Sequence, residues 1–149
     1  MSFAAFAGSD LIPHVVKILG AYALGLPTGW ERFKHDRSAG LRTFPLVSLA
    51  SCAYMLAASH GEISSDVQAR ILVGVMTGIG FIGGGSIVRD ATSVHGSATA
   101  ASLWNMGAMG ASVAYDHYGL AVILCLINYF SLLFWTPIED RINKEDRHV

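Results

Sequence analysis

The stretch that decides the fold is Ile71–Val88, which reads ILVGVMTGIGFIGGGSIV. It contains no charged residue and is long enough to cross a bilayer, because ~20 helical residues cover the ~30 Å hydrocarbon core. It also contains the pattern Gly-x-Gly-x-x-Gly at Gly78, Gly80 and Gly83, which is typical of dinucleotide-binding loops. The segment therefore has two competing interpretations, a nucleotide site and a membrane helix.

The sequence around the glycines excludes the nucleotide site. A dinucleotide fingerprint needs a strand before it and an acidic residue roughly 20 positions after it. Here the glycines lie inside the apolar run, and the first acid, Asp90, follows within a few residues. Gly84, Gly85 and Ser86 have no lysine beside them, so a phosphate-binding loop is excluded too. We therefore interpret the segment as a membrane helix.

The composition agrees with a membrane protein. Apolar residues make up 52% of the chain and charged residues 14%, against about 25% charged residues in ordinary soluble domains. The apolar residues fall into blocks that predict five transmembrane helices at residues 11–29, 44–59, 71–88, 98–115 and 120–137. We therefore expect one all-α membrane domain, a bundle of about five helices, followed by a short polar tail at 138–149.

Basic residues predict the orientation of this bundle. They concentrate in the loop after the first span, the loop after the third span and the tail, and are Arg32, Lys34, Arg37, Arg42, Arg89, Arg141, Lys144 and Arg147. The opposite side carries Arg70 alone. By the positive-inside rule the N-terminus lies outside and the C-terminus in the cytoplasm. We found no basic stripe with interleaved aromatic residues, so no nucleic-acid partner is expected.

Small residues recur every four positions and predict close helix packing. Ala21, Gly25 and Gly29 share a face of the first span, and two pairs in the third span do the same, Gly74 with Gly78 and Gly80 with Gly84. Three consecutive glycines, Gly83, Gly84 and Gly85, each weaken a helix by roughly 1 kcal/mol. We therefore also expect the third span to unwind near its cytoplasmic end, as broken helices do around ion sites.

Polar residues inside the spans form a second group of candidates. Asp10, His14 and Lys17 follow an i, i+4, i+7 pattern on one face of the first span, and Lys17 is close enough to the outer end to reach water. Asn105 and Asn128 are expected to hydrogen-bond neighbouring helices. We identify no nucleophile with a nearby base, no metal-ligand spacing and no cofactor motif, so no enzyme is expected. A weak cation site among His14, Glu62, Asp66 and Asp116 competes with the interpretation that these are solvated loop charges.

Three separated motifs resemble the MgtC/SapB family of bacterial membrane proteins. They are Trp30-Glu31-Arg32 followed by Ala39-Gly40-Leu41-Arg42-Thr43, then Thr77-Gly78-Ile79-Gly80-Phe81-Ile82-Gly83-Gly84-Gly85, then Val94-His95-Gly96-Ser97-Ala98-Thr99-Ala100-Ala101-Ser102-Leu103-Trp104. The sequence departs from the family pattern at two places, both by small substitutions. Gly83-Gly84-Gly85 replaces the usual Gly-Ala-Gly, and Gly96-Ser97-Ala98-Thr99 replaces Gly-Leu-Thr-Thr. The resemblance covers roughly Gly20 to Ser131.

The resemblance implies a multi-pass inner-membrane protein linked to survival at low magnesium and, in pathogens, to virulence inside host cells. It implies a short form, without the cytoplasmic C-terminal domain of longer relatives. It further implies a regulator that binds other membrane proteins, such as ATP synthase or a transporter. Separately from the resemblance, membrane lipids and a homo-oligomer are expected partners, and the basic residues of the first cytoplasmic loop either contact anionic headgroups or only set the topology. On the regulator interpretation the glycine faces recruit partner helices, and a charged surface lies on the cytoplasmic side, formed by Glu31, Arg32, Arg37, Arg42, Arg89 and Asp90. The alternative is a small Mg²⁺ transporter or channel.

Overall fold

The computed structural model describes residues 11–35, 39–59, 64–89 and 94–145, with side chains up to residue 138 in the last helix. Within them the chain forms five helices and one short antiparallel hairpin. The elements are α1 (Leu11–Lys34), α2 (Thr43–Ser59), α3 (Ser65–Gly85), β1 (Val88–Arg89), β2 (Val94–His95), α4 (Ser97–Ala114) and α5 (Tyr118–Glu145). The expectation of an all-α membrane bundle is confirmed. The hairpin between α3 and α4 was not predicted.

Helix α4 occupies the centre of the bundle and contacts each of the other four helices. Its composition of alanine, glycine, serine and methionine lets neighbours approach closely, and Leu103, Met106 and Met109 are almost completely buried. Two hydrogen bonds fix its antiparallel register with α1, from Lys17 to Ala114 at one end and from Arg32 to Thr99 at the other.

Within the described part of the chain, three helices are long and apolar enough to cross a membrane, namely α1, α3 and the Tyr118–Ile138 part of α5. Helix α2 is apolar but shorter, with 17 residues. Helix α4 contacts all four other helices, and two of its serines, Ser102 and Ser112, are buried inside the bundle. The chain is therefore a helical membrane protein.

Several helix ends differ from the predicted spans. Helix α1 continues past Gly29 to Lys34, and α5 continues past residue 137 to Glu145. Helix α3 begins at Ser65 and ends at Gly85, three residues before Val88. The predicted unwinding at Gly83–Gly85 is wrong, because these glycines remain helical and Ser86 N–H donates to the Gly83 carbonyl at 3.0 Å.

Helix α2 begins deeper in the bundle than α4 does. The α1–α4 register places Gly25 level with Met106, and Gly25 contacts the backbone of Pro45. Gly110 independently contacts Ser48 and Cys52. Both pairs put the start of α2 level with the middle of α4, about 10 Å inside its first residue at ~1.5 Å per residue. The chain after α1 therefore folds back along α1 before α2 starts.

Candidate functional site

A buried polar contact joins the predicted cytoplasmic ends of α1 and α4. The Nη2 atom of Arg32 donates to Oγ1 of Thr99 at 2.9 Å, and both residues are buried, at 4% and 1% exposure. Arg32 is buried because α1 continues through it, extending the apolar-face spacing of Ala21, Gly25 and Gly29. Carrying that helical periodicity past Gly29 would have found it from the sequence.

Glu31 is buried as well, with 3% exposure. Its Oε1 lies 3.1 Å from Nδ1 of His35, the residue that directly follows α1. The predicted charged surface is therefore wrong for Glu31 and Arg32, since both belong to a helix that packs into the bundle. Of the remaining members, Arg42 and Arg89 are exposed, and Arg37 and Asp90 lie outside the described residues.

The rest of the first motif forms the segment that folds back along α1. Gly40 packs beside Phe33, and a Cβ on Gly29 would lie only 3.1 Å from the Cα of Leu41. Arg42 follows at the surface, and Thr43 is the first residue of α2. The two glycines thus allow two backbones to run side by side.

Gly96 is the residue that lets the hairpin join α4. Its φ is +91°, and a Cβ there would overlap the carbonyl oxygen of Ser86. Only glycine adopts this left-handed geometry without strain at so close an approach. Gly96 therefore positions Thr99 one turn later, opposite Arg32.

Both asparagines in the spans hydrogen-bond across helices, as predicted. Asn105 Nδ2 donates to the Leu124 carbonyl at 3.2 Å, and Asn128 Nδ2 donates to Thr28 Oγ1 at 3.0 Å. Together they attach α5 to α4 and to α1. Trp104, which precedes Asn105, is 53% exposed and faces away from the bundle.

The opposite end of α1 is held by an ion pair. Lys17 Nζ lies 2.8 Å from Asp116 Oδ2 and donates a second bond to the Ala114 carbonyl. Tyr118 also donates to Asp116, and these two donors, Lys17 foremost, hold the pKa of the Asp116 carboxyl below its ordinary value. His14 is half-buried on the same helix, and Asp10 lies outside the described residues. Lys17 thus has a structural role in joining α1 to the α4–α5 turn.

The closest helix contacts occur at glycines that the sequence analysis partly missed. A Cβ on Gly25 would come within 2.7 Å of the Pro45 Cα, as the stripe on α1 predicts. In α4, a Cβ on Gly110 would overlap the Ser48 carbonyl, and one on Gly107 would overlap the Ile79 side chain. The signal was the density of small residues in Gly107-Ala-Met-Gly-Ala-Ser112.

The glycines of α3, in contrast, are mostly open, so the close packing that their spacing predicts does not occur within this chain. Gly83 contacts Ala100 of α4, whereas a Cβ would meet nothing within 4 Å at Gly74, Gly78, Gly80, Gly84 and Gly85. Helical spacing places Gly80 and Gly84 on one face and Gly74 and Gly78 on another. The second face borders a groove of about 740 Å³ between α2 and α3.

Among the described residues, no group of three or more histidine, cysteine, aspartate or glutamate side chains is placed to hold a metal ion. Cys52 and Cys125 are free thiols. The Cys125 Sγ lies 3.3 Å from the Leu24 carbonyl, so it contributes to the contact between α5 and α1.

Comparison with known proteins places this geometry in a family. Residues 18–141 match the MgtC family. Protein MgtC of Salmonella typhimurium is 32% identical over 134 residues, which are 90% of this chain and 57% of that protein. YhiD of Escherichia coli K12, named as a candidate magnesium transporter, is 29% identical over 140 residues, or 89% of this chain and 64% of YhiD.

An uncharacterised protein of Synechocystis is 29% identical over 134 residues. The chain spans about 57% of the length of the Salmonella relative. No solved structure matches. Because the family match extends over most of the sequence, from α1 into α5, the chain belongs to the MgtC family.

Proposed function

We propose that this protein is a non-enzymatic regulator in the bacterial inner membrane that acts by docking α3 onto other membrane proteins. It crosses the membrane several times and serves adaptation to low magnesium and, in a pathogen, survival in host cells. The Salmonella and Escherichia coli relatives support the link to magnesium through their names. ATP synthase or a transporter is the partner that we expect.

The exposed surface of α3 carries this proposal. Gly80 and Gly84 lie one turn apart on a face where a Cβ would meet nothing, and Phe81 beside them is 85% exposed. In lipid, two helices associate through small residues that let their backbones approach, because no hydrophobic driving force brings them together. An open glycine pair flanked by an aromatic side chain is therefore suited to an incoming helix. If a partner helix binds this face, the open positions of Gly80 and Gly84, which pack against nothing in this chain, are explained.

The test is inhibition of ATP synthase in inverted membrane vesicles that contain the protein. We expect wild-type protein to lower ATP-driven proton pumping, and Gly80→Leu to abolish the effect by preventing helix approach. Gly20→Leu is the matched control, since Gly20 is also open but lies on α1. The regulator proposal fails for ATP synthase if Gly80→Leu and Gly20→Leu inhibit as wild-type does.

A small Mg²⁺ transporter is the second candidate, favoured by the name of the Escherichia coli relative and by the buried carboxylate of Glu31. Against it, Arg32 lies next to Glu31, and Lys17 lies at the other end of α1. Arg32 offsets the charge of Glu31, and Lys17 is paired with Asp116, whereas a path for a divalent ion is expected to present carboxylates or carbonyl rings. The regulator is therefore preferred.

Flux measurements separate the two candidates. Mg²⁺ and K⁺ uptake is measured in proteoliposomes that hold folded protein under an imposed membrane potential. Protein-dependent Mg²⁺ uptake that Glu31→Gln removes would replace the regulator with the transporter. Absence of flux in the same vesicles would support the regulator, and the search would turn to its partner.

A further inference from the structure

The groove between α2 and α3 has the shape of a site for one lipid chain. Its volume is about 740 Å³, within the ~300–1,000 Å³ that is typical of small-molecule sites. Apolar side chains line almost all of it, among them Leu46, Tyr54, Ile71 and Val75. Gly78 lies on its wall, where the missing side chain leaves room for an occupant.

The length of the groove matches one leaflet of a bilayer. On α2 the lining runs from Thr43 to Tyr54, which is about 16 Å of helix at ~1.5 Å per residue. The hydrocarbon core is ~30 Å thick, so the groove covers about half of it. A single acyl chain that enters from one surface would therefore extend along the whole groove.

The end of the groove carries an unmatched positive charge. Arg42 is the charged side chain among the described lining residues, and no carboxylate lines the groove with it. It is exposed, and within the described part of the chain its side chain makes no ion pair or hydrogen bond. Arg42 directly precedes α2, so its guanidinium lies at one end of the groove, and the positive-inside rule predicts that this end faces the cytoplasmic lipid headgroups.

We propose that this groove binds one anionic phospholipid, with the acyl chain between α2 and α3 and the phosphate on Arg42. A guanidinium is suited to this position because it forms paired hydrogen bonds to a phosphate. The leaflet is the one that Arg42 faces, which the charge distribution predicts to be cytoplasmic. This site is separate from the Gly80–Gly84 face, so it stands or falls independently of the proposed regulatory function.

The test uses native mass spectrometry of the purified full chain with phosphatidylglycerol or phosphatidylcholine of identical acyl chains. We expect wild-type protein to retain one phosphatidylglycerol and to prefer it to phosphatidylcholine. Arg42→Gln should weaken retention about fivefold, the effect of one basic residue near an anionic surface. Arg89→Gln is the control, since Arg89 is another exposed arginine on the same predicted side but does not line the groove.

A second variant tests the apolar part of the site. Gly78→Leu fills open space, so the fold should tolerate it, and it should displace the chain even if Arg42→Gln fails to fold. Excess inorganic phosphate should leave the retained lipid in place, because the acyl chain contributes to binding. The proposal would be overturned if wild-type protein retained phosphatidylglycerol and phosphatidylcholine equally. It would also be overturned if Gly78→Leu retained as much phosphatidylglycerol as wild type. A third contradicting result would be a dimer of the wild-type chain that dissociates in Gly78→Leu and is unaffected by phosphatidylglycerol, because a second copy would then occupy the groove.

Discussion

Arg32 and Thr99 lie 67 positions apart in the chain, yet the guanidinium Nη2 donates to the threonine Oγ1 at 2.9 Å inside the bundle. The contact joins the last turn of α1 to the first turn of α4. It depends on Gly96, which starts α4 in the left-handed geometry, and on the continuation of α1 past Gly29. The first and third family motifs therefore meet at one buried hydrogen bond.

Thr99→Val should lower the free energy of unfolding by about 1–3 kcal/mol, because a buried donor loses its acceptor. Thr99→Ser keeps the hydroxyl and should remain near wild type. Thermal unfolding in detergent compares the three proteins. If Thr99→Val unfolds at the wild-type temperature, the hydrogen bond does not stabilise the bundle.

Gly110→Ala should destabilise the bundle by about 1–3 kcal/mol, since the added methyl group overlaps the Ser48 carbonyl and two backbones must separate. Gly80→Ala adds the same methyl group to open space on α3. It should leave stability unchanged or raise it by up to ~1 kcal/mol through better helix propensity. Chemical or thermal unfolding in detergent measures both variants. Equal losses would mean that Gly110 is not at a close approach.

The sequence predicted the helices well because a bilayer imposes length and hydrophobicity on every span. It predicted the bonds of Asn105 and Asn128 for a similar reason, as a polar amide inside a span must find a partner. Glu31 and Arg32 were wrongly assigned to an exposed surface, because charged residues that follow an apolar span are typical of a loop. The helical spacing of Ala21, Gly25 and Gly29 extends to Arg32 and would have indicated its burial, whereas the partner that it meets, Thr99, depends on tertiary contacts that no local pattern contains.

The glycines show the same limit in the opposite direction. Spacing identifies which glycines share a helix face but not whether that face meets a neighbour in the same chain. Gly25 packs against Pro45, whereas Gly80 and Gly84 with the same spacing meet nothing. The difference arises because α4 takes the centre of the bundle and α3 remains at its edge. The hairpin of four paired residues was missed because it is too short for a period-2 pattern.

Gly96→Ala should disrupt the hairpin, because alanine is strained at φ +91° and its Cβ overlaps the Ser86 carbonyl. We expect a loss of at least about 1–2 kcal/mol from the left-handed backbone alone. Hydrogen exchange at Val88 and His95 should become faster. Gly85→Ala is the control, since it adds a methyl group to open space nearby. Unchanged exchange in Gly96→Ala would contradict the role assigned to Gly96.

Asp116→Asn should remove the ion pair with Lys17 while keeping the left-handed backbone, φ +62°, which asparagine tolerates. Because the folded pKa of Asp116 is lowered, by the Lys17 bond first, its carboxylate stabilises the fold above the ordinary carboxyl pKa of about 4. That contribution is lost as the pH falls through the lowered folded pKa. Wild type should therefore unfold at a higher temperature than Asp116→Asn at about pH 5.

The difference between the two proteins should shrink as the pH falls below the ordinary carboxyl pKa, and it should vanish once the pH lies below the lowered folded pKa of Asp116, where the wild-type carboxylate has taken up its proton. Thermal unfolding of both proteins in the same detergent provides the comparison. A difference that persists unchanged to low pH would show that Asp116 acts through its hydrogen-bonding shape and not through its charge. The link between α1 and the α4–α5 turn would then depend on the Lys17 bond to the Ala114 carbonyl.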